Sequence, residues 1–331
     1  MLWTFKKILI LGFLALFLIL FFFFFVGSPP QAKEIKWGVN FSQKHAELLG
    51  LNWKQAYLAL SDDLKVKRIK LITHWDLLEP EKDKFDFKDL DWQIEKAGEK
   101  GVKILLVIGM KTPRWPECHI PEWAKDFSKE EQQKEILELL EKIVLRYQGQ
   151  TSIVMWQVEN EPFFPFGECP WSDKDFLKME VGLVKSLDER PVLISDSGEG
   201  SLWIRTAQIG DIVGTTLYKK VWVSQIKSYL HYPFPEVFYY RKAQLIEELF
   251  GKKVICVELQ AEPWGPVLLY DLPIEEQEKT MNLEQFKNII NLAKRTGLDE
   301  FYLWGAEWWF WLKEVQGDSG MWDEAKSLFV Q

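Results

Sequence analysis

The chain has few of the residues that redox, metal or nucleotide chemistry requires. Its 331 residues include three Cys and four scattered His, too few thiols for a four-cysteine zinc site or a disulfide-dense miniature scaffold. Neither a glycine-rich phosphate loop nor a Gly-x-Ser-x-Gly nucleophile motif occurs. The 49 acidic residues outnumber the 41 basic ones, which argues against a nucleic-acid surface. We therefore expect no metal, no cofactor and no nucleic-acid partner.

Tryptophan, by contrast, is abundant, with 17 copies. Indole rings offer flat apolar faces on which the C–H faces of sugar rings can stack. Seven of these residues follow predicted strand ends or lie in the loops beyond them: Trp75, Trp115, Trp171, Trp264, Trp304, Trp308 and Trp309. From this set we predict that Trp75 and Trp264 bind a carbohydrate. Packing under long loops is the alternative role for such residues.

The N-terminal segment has the length of a membrane span. Lys6 and Lys7 precede an unbroken apolar run over residues 8–26, which as a helix would extend about 28 Å, close to the thickness of a hydrocarbon core. We predict an uncleaved anchor and short linker over residues 1–33, with the remainder outside the cytoplasm. Cleavage of residues 1–33 as a signal peptide would instead give a secreted protein.

The remainder, residues 34–331, alternates short apolar runs with amphipathic helical patterns. Eight strands are predicted, over residues 37–41, 68–73, 102–108, 153–158, 192–195, 212–217, 254–259 and 301–304. Eight such repeats predict a single-domain (β/α)₈ barrel, whose active residues follow the carboxyl ends of the strands. A doubly wound sheet is the alternative, but it would need a glycine-rich turn after the first strand.

Two predicted strands carry carboxylates to this end of the barrel. The fourth strand runs into Asn160 and Glu161, and the seventh contains Glu258. Strands four and seven lie on opposite sides of such a barrel, so the two carboxyl groups can face each other across its mouth. Two carboxyl groups about 5–5.5 Å apart are the catalytic pair of retaining glycosidases.

The stretch Trp-Gln-Val-Glu-Asn-Glu over residues 156–161 is similar to the acid/base strand of the β-galactosidase families in clan A of the glycoside hydrolases. The resemblance covers residues 34–331. It implies that Glu161 is the acid/base, that Asn160 holds the substrate hydroxyl next to the reacting carbon, and that Glu258 is the nucleophile.

Three further residues match positions that the clan uses. The resemblance implies that Arg68 supports the nucleophile and that Tyr218, at the end of strand six, donates a hydrogen bond to it. It also implies that Trp304, at the end of strand eight, forms the floor under the cleaved sugar.

Other carboxylates follow the same strand ends. Glu262 is a rival nucleophile four residues after Glu258. We expect Asp196, Glu199 and Glu307 to bind sugar hydroxyls or to pair with Arg205.

These residues predict a retaining glycoside hydrolase that cleaves β-linked polysaccharides or oligosaccharides by double displacement. A transglycosylase of the cell envelope and a catalytically inactive glycan-binding barrel are the alternatives. We expect a monomer that contacts the lipid bilayer through residues 8–26. The sugar, its linkage and the choice between internal and terminal cleavage stay open.

A disulfide between Cys118 and Cys169 is the last prediction. These residues lie in the loops after strands three and four, which leave neighbouring strands on the same face. Cys256 lies inside strand seven and has no expected partner. An exported domain would keep such a bond oxidised.

Overall fold

The eight predicted apolar runs form a closed barrel of parallel strands in the computed structural model, which describes residues 2–330 but not the side chains of 2–5, 7 and 8. Their order around the barrel is β1-β2-β3-β4-β5-β6-β9-β10, and β10 closes on β1. The barrel strands are β1 Lys36–Ser42, β2 Arg68–Ile72, β3 Lys103–Ile108, β4 Ile153–Val158, β5 Val192–Asp196, β6 Ile212–Leu217, β9 Val254–Gln260 and β10 Glu300–Trp304. The predicted barrel is thereby confirmed.

One helix, α1, precedes the barrel, and further helices follow most of the strands and cover the outside of the barrel. They are α1 Leu2–Phe25, α2 Gln43–Leu48, α3 Trp53–Asp62, α4 Trp75–Leu78, α5 Lys88–Glu99, α6 Lys129–Tyr147, α7 Lys174–Leu187, α8 Ile204–Ala207, α9 Glu236–Phe250, α10 Ile274–Gln277, α11 Leu283–Arg295, α12 Ala306–Trp311 and α13 Gly320–Phe329. Local sequence sets several of their ends. Ser128 and Glu131 form a reciprocal capping box that starts α6, and Gly251, at φ 65°, ends α9 in the left-handed conformation that glycine adopts without strain.

Two layers of side chains build the core. Inside the barrel, buried residues from five strands pack together: Leu105, Met155, Leu193, Ile255, Val257 and Tyr302. A larger cluster lies between the strands and the surrounding helices. The alternation of side chains along each strand supplies both layers, which explains why the barrel strands read as continuous apolar runs.

A two-stranded hairpin after β6 was not predicted. Strands β7 Lys220–Val223 and β8 Ser228–His231 pair antiparallel, with Trp222 opposite Tyr229. Both rings are partly buried, and they meet edge to face at 5.1 Å. The hairpin therefore places aromatic surface beside the carboxyl end of β6.

The C-terminal end of the N-terminal helix α1 packs on the barrel domain. The Phe25 ring lies 5.8 Å from that of Phe238 on α9. Over the residues that the structure describes, no helix is both long and apolar enough to cross a membrane. The side chain of Ile8 lies outside that description, and the anchor predicted over residues 8–26 stays a prediction.

A disulfide joins Cys118 and Cys169, whose Cα atoms lie 5.2 Å apart, as predicted. It connects the loop after β3 to the loop after β4. Cys256 is the free, buried thiol among the described residues. The two loops that flank the Asn160–Glu161 pair are therefore covalently held together.

Replacing both Cys118 and Cys169 by Ser should lower the free energy of unfolding by about 2–4 kcal/mol, because the bond restricts the unfolded chain across 51 residues. Denaturant unfolding with and without reductant measures this change, and the reductant should have no effect on the double variant. Thiol titration of the denatured, unreduced wild type should detect one Cys; three free thiols would contradict the bond.

Candidate active site

Glu258 points into the barrel mouth because β9 is irregular at that point. The pairing of β9 with β6 moves from Thr215–Cys256 to Thr216–Glu258 and so skips Val257. Val257 already faces the barrel interior, so a regular strand would turn Glu258 outward. The extra residue turns it inward instead, as β-bulges near active sites commonly do.

Both oxygens of Glu258 are held by donors. Lys70 Nζ donates to Oε1 at 2.9 Å, and the Tyr218 hydroxyl donates to Oε2 at 3.0 Å. Lys70 is fully buried, and 4 % of Glu258 is exposed. Each oxygen of the Glu258 carboxyl group thus has its own donor, and one of the two donors is an ammonium group. Tyr218 thus stands where the sequence places it.

Arg68, predicted to support the nucleophile, does not contact Glu258, and that prediction is wrong. Arg68 begins β2 at the opposite end of the barrel, where its Nη1 lies 3.6 Å from Glu300 Oε1. Side chains two residues apart share a face of a strand but lie about 6.6 Å apart along it. Lys70, two residues further along β2, is therefore the cation that reaches the mouth.

Glu161 lies just beyond β4, partly buried, with its backbone N–H donating to Ser195 Oγ at 2.9 Å. Burial raises the pKa of Glu161 well above its ordinary value, and the nearby charges of Glu258 and Glu117 raise it further. Burial and like charges therefore favour the protonated form of Glu161, while Glu258 is held by cationic and hydroxyl donors.

Asn160 is fixed by its neighbours. Its Oδ1 accepts hydrogen bonds from Gln157 Nε2 and Ser195 Oγ, both at 3.1 Å. Its Nδ2 donates to Glu117 Oε2 at 3.2 Å. The amide orientation is thus set, because the oxygen is occupied by donors and the nitrogen is left to face an acceptor.

Glu159, in the same motif, has a structural role. Its carboxylate accepts the backbone N–H groups of Met110 at 2.7 Å and Lys111 at 2.6 Å, and it shares a hydrogen bond with buried Glu180. Gly109, at φ 128°, leaves room for this carboxylate, which a Cβ at that position would meet. Glu159 therefore ties the loop after β3 to the end of β4.

Glu117 is a site carboxyl group that sequence reasoning missed. It is buried in the loop after β3, where Oε1 accepts the Arg114 backbone N–H at 3.1 Å and Oε2 accepts the Asn160 amide. Burial raises the pKa of Glu117 to about 8. Its position next to Cys118 was the available signal, since the predicted disulfide brings that loop to the end of β4.

The rival nucleophile Glu262 is engaged by cations. Its carboxylate pairs with Arg114, and His45 Nε2 lies 3.7 Å from its second oxygen. Burial alone would raise its pKa, but the charge of Arg114 and the contact with His45 lower it to about 2. Arg114 Nη2 also lies 3.2 Å from Glu307 Oε2, so one guanidinium group holds two carboxylates.

Asp196 at the end of β5 and Glu199 just after it do not pair with Arg205, which was one of the two roles expected for them. Asp196 accepts the Thr206 hydroxyl at 2.7 Å, and Glu199 accepts the Tyr239 hydroxyl at 2.8 Å. Arg205 is exposed, with its guanidinium over the ring of Phe163. Burial raises the pKa of Glu199 to about 7. Hydroxyl groups from α8 and α9, which the sequence pattern does not reveal, hold these two carboxylates instead of Arg205.

The predicted sugar-binding tryptophans have different environments. Trp75 is fully buried, and its Nε1 donates to Glu79 Oε2 at 2.9 Å, so it packs in the core and the prediction of a substrate contact is wrong. Trp304 is 5 % exposed, because the Arg114 guanidinium covers its ring at 3.9 Å. Trp264 is partly exposed at the mouth, 5.6 Å from the ring of Tyr218.

Known proteins resemble this chain in part of its sequence and in its fold. A family model described as β-galactosidase matches residues 53–134. The fold is similar to a β-galactosidase from the haloarchaeon Halorubrum lacusprofundi (14% identity, TM-score 0.60, 89% of this chain and 58% of that one). It is also similar to xylanase 10B from Thermotoga petrophila with xylobiose (14%, TM-score 0.53, 82% of each) and to an endo-β-1,4-xylanase from Gloeophyllum trabeum (16%, TM-score 0.57, 82% and 85%).

No curated protein matches the chain. The chain spans a little more than half the length of the haloarchaeal β-galactosidase. At these identities the structural neighbours establish the barrel fold. The family model over residues 53–134 agrees with the resemblance to the β-galactosidase families that residues 156–161 indicate.

The contrast between Lys70 and Arg68 gives a stability prediction. Lys70→Met should lower the free energy of unfolding by about 3–5 kcal/mol, because it leaves a buried carboxylate without its cation. Arg68→Met removes a longer, partly exposed pair and should cost about 1 kcal/mol or less. Denaturant unfolding of both variants checks this. Equal losses of unfolding free energy would mean that the Lys70–Glu258 pair contributes no more to stability than the Arg68–Glu300 pair.

Proposed function

We propose that the chain is a retaining β-glycosidase with Glu258 as nucleophile and Glu161 as acid/base. The observation that carries the proposal is that two neighbouring carboxyl groups have opposite electrostatic environments. Lys70 and Tyr218 donate hydrogen bonds to Glu258, whereas burial and the charge of Glu258 raise the pKa of Glu161. Retaining hydrolysis requires one carboxyl group of each kind.

The reaction then has two steps. Glu258 attacks the anomeric carbon while Glu161 gives its proton to the departing glycosidic oxygen, which forms a glycosyl-enzyme ester on Glu258. Glu161, now a carboxylate, takes a proton from water, and the resulting hydroxide displaces Glu258 from the sugar. Lys70 and Tyr218 stabilise the charge of Glu258 when the ester is cleaved and the charge returns.

The substrate that we propose is a β-linked oligosaccharide or polysaccharide. Asn160 Nδ2 is positioned by Gln157 and Ser195 to donate to the sugar hydroxyl beside the reacting carbon. The partly exposed Trp264 next to Tyr218 supplies an aromatic contact for a sugar face. The printed names of similar proteins, β-galactosidase and xylanase, support the same substrate class.

We also propose that residues 1–33 hold a monomeric catalytic domain at a membrane, outside the cytoplasm. The basis is Lys6 and Lys7 before the apolar run, together with the exposure of apolar side chains along α1 such as Leu11 and Phe13. Fractionation tests this: full-length protein should sediment with membranes, and a chain that begins at residue 34 should stay soluble and active.

Replacing either carboxyl group should abolish cleavage. Glu161→Gln and Glu258→Gln should each lower kcat/KM on β-linked oligosaccharides by at least about a thousandfold, because each removes a proton donor or the nucleophile. Glu168→Gln, an exposed carboxylate on the loop after β4, is the matched control and should retain activity. Near-normal activity of Glu258→Gln would refute the assigned nucleophile.

The pH dependence should identify Glu161 as the proton donor. Its pKa is raised, so the acid form persists to a higher pH than in an ordinary glutamic acid. Above that pH the proton is lost, and kcat/KM should fall on the alkaline side. In Glu161→Ala, an aryl β-glycoside with a good leaving group needs no proton, and azide should restore turnover without that alkaline fall. A fall that persists in the rescued variant would assign the titration to another group.

A further inference from the structure

Glu159 and Glu180 bring two further carboxyl groups into contact, away from the proposed catalytic pair. Glu159 follows β4, Glu180 lies on α7, and the two residues are 6 % and 2 % exposed. A hydrogen bond joins their carboxyl groups. Ionised carboxylates only accept hydrogen bonds, so one member of such a pair has to carry a proton. We call Glu159 and Glu180 the buried acid pair.

Glu159 has the surroundings of an anion. Its Oε1 accepts the backbone N–H of Met110 at 2.7 Å, and its Oε2 accepts that of Lys111 at 2.6 Å. Burial raises the pKa of Glu159, but the hydrogen bonds from Glu180, Met110 and Lys111 and the positive charge of Lys111 act in the opposite direction. Both oxygens of Glu159 are therefore used as acceptors.

Glu180 has the surroundings of a neutral acid. Burial raises its pKa well above the ordinary value, and the charge of Glu159 raises it further. Apart from the contact with Glu159, the described residues provide no hydrogen-bond donor to Glu180 Oε1. The other charge that acts on it is that of Asp173, an acidic group whose own partner is Lys129 of α6 at 2.6 Å. The proton of the buried acid pair is therefore more stable on Glu180.

Lys111 connects the buried acid pair to the proposed acid/base. Its backbone N–H donates to Glu159, and its carbonyl accepts the Asn160 N–H at 2.6 Å. Its Nζ donates to the carbonyl oxygens of Glu161 at 3.0 Å and Phe164 at 2.8 Å. Glu159 and Glu161 both have a positive φ, of 58° and 41°. Side chains adopt this conformation only with strain, so the surrounding contacts have to hold it in place.

From these contacts we propose that Glu180 is a neutral acid that shares its proton with Glu159, and that this shared proton positions the backbone of Asn160 and Glu161. Glu180 is then a positioning residue, because it acts through Glu159 and Lys111 and does not touch the substrate. The effect on catalysis rests on the proposed glycosidase function, whereas the shared proton does not.

The two members of the buried acid pair should differ in their tolerance of an amide. Glu180→Gln replaces the shared O–H by an N–H donor and should keep kcat on an aryl β-glycoside within about twofold of the wild type. Glu159→Gln directs a donor at a backbone N–H group, and it should lower kcat about tenfold or more with a smaller change in KM. Glu189→Gln, an exposed residue just beyond α7, is the control and should match the wild type.

Removing the donor altogether gives the matching loss. Glu180→Met has a similar volume but no hydrogen-bond donor, so it leaves the buried carboxylate of Glu159 without that partner. It should lower kcat about tenfold, and Glu180→Gln at the same position should restore it. A purely space-filling role of Glu180 would predict the same kcat for both variants.

The pH dependence of unfolding tests the proton itself. Folding raises the pKa of Glu180, so its contribution to stability is present at low pH and is lost as the pH rises through the raised value. Glu180→Gln has no such proton to lose, and its denaturation midpoint should gain on that of the wild type as the pH rises. Glu117, Glu161 and Glu199 also have raised pKa values, but they are present in both proteins, so the difference isolates Glu180.

Infrared difference spectroscopy detects the same proton directly. At neutral pH the wild type should show the C=O stretching band of one protonated carboxyl group that Glu180→Gln lacks. The absence of this band, or equal pH dependence of unfolding in the two proteins, would overturn the shared proton.

The kinetic outcomes are separate from the spectroscopic ones. Equal kcat values for folded Glu159→Gln and Glu180→Gln would overturn the positioning role. If Glu159→Gln does not fold, the comparison of Glu180→Met with Glu180→Gln decides that role. If the wild type cleaves no glycoside, the proposed glycosidase function fails, and the unfolding and infrared measurements still decide whether the proton is shared.

Discussion

The site depends on one electrostatic constraint, that ionisation of one of two neighbouring carboxyl groups in a poorly solvated mouth opposes ionisation of the other. Lys70 and Tyr218 resolve the competition, because both of their donors are directed at Glu258. The negative charge of Glu258 then helps to keep the proton on Glu161. In the proposed mechanism, a nucleophile and an acid thus arise from the same type of side chain, and their difference comes from the donors around them.

The fold supplies this arrangement through local departures from regular structure. The irregular pairing at Val257 turns Glu258 into the mouth, and the backbone of Glu161 adopts a positive φ of 41° just past β4. Glu159 and the Cys118–Cys169 bond secure the loops on either side of Asn160. The regular barrel makes the site rigid. The irregular positions at Val257 and Glu161 set the directions of the two carboxyl groups.

The sequence predicts the barrel well because eight apolar runs and the amphipathic patterns between them are local signals. It also indicates Asn160, Glu161, Glu258 and the disulfide, since each depends on which strand end a residue follows. Whether Lys70 or Arg68 contacts Glu258 depends on how far along β2 each residue lies. A resemblance in residue types does not establish that position. The environments of Trp75, Glu117 and Arg114 come from contacts between distant loops, and such contacts leave no pattern in the local sequence.

Covalent trapping of the intermediate tests the central assignment most directly. A fluorosugar inactivator with a good leaving group slows the second step more than the first, so the glycosyl-enzyme accumulates and its peptide can be identified by mass spectrometry. The label should sit on Glu258, and the first product of the uninhibited reaction, followed by NMR, should keep the β configuration. A label on Glu262, or a first product with the α configuration, would contradict the assignment of Glu258 as the nucleophile of a retaining glycosidase.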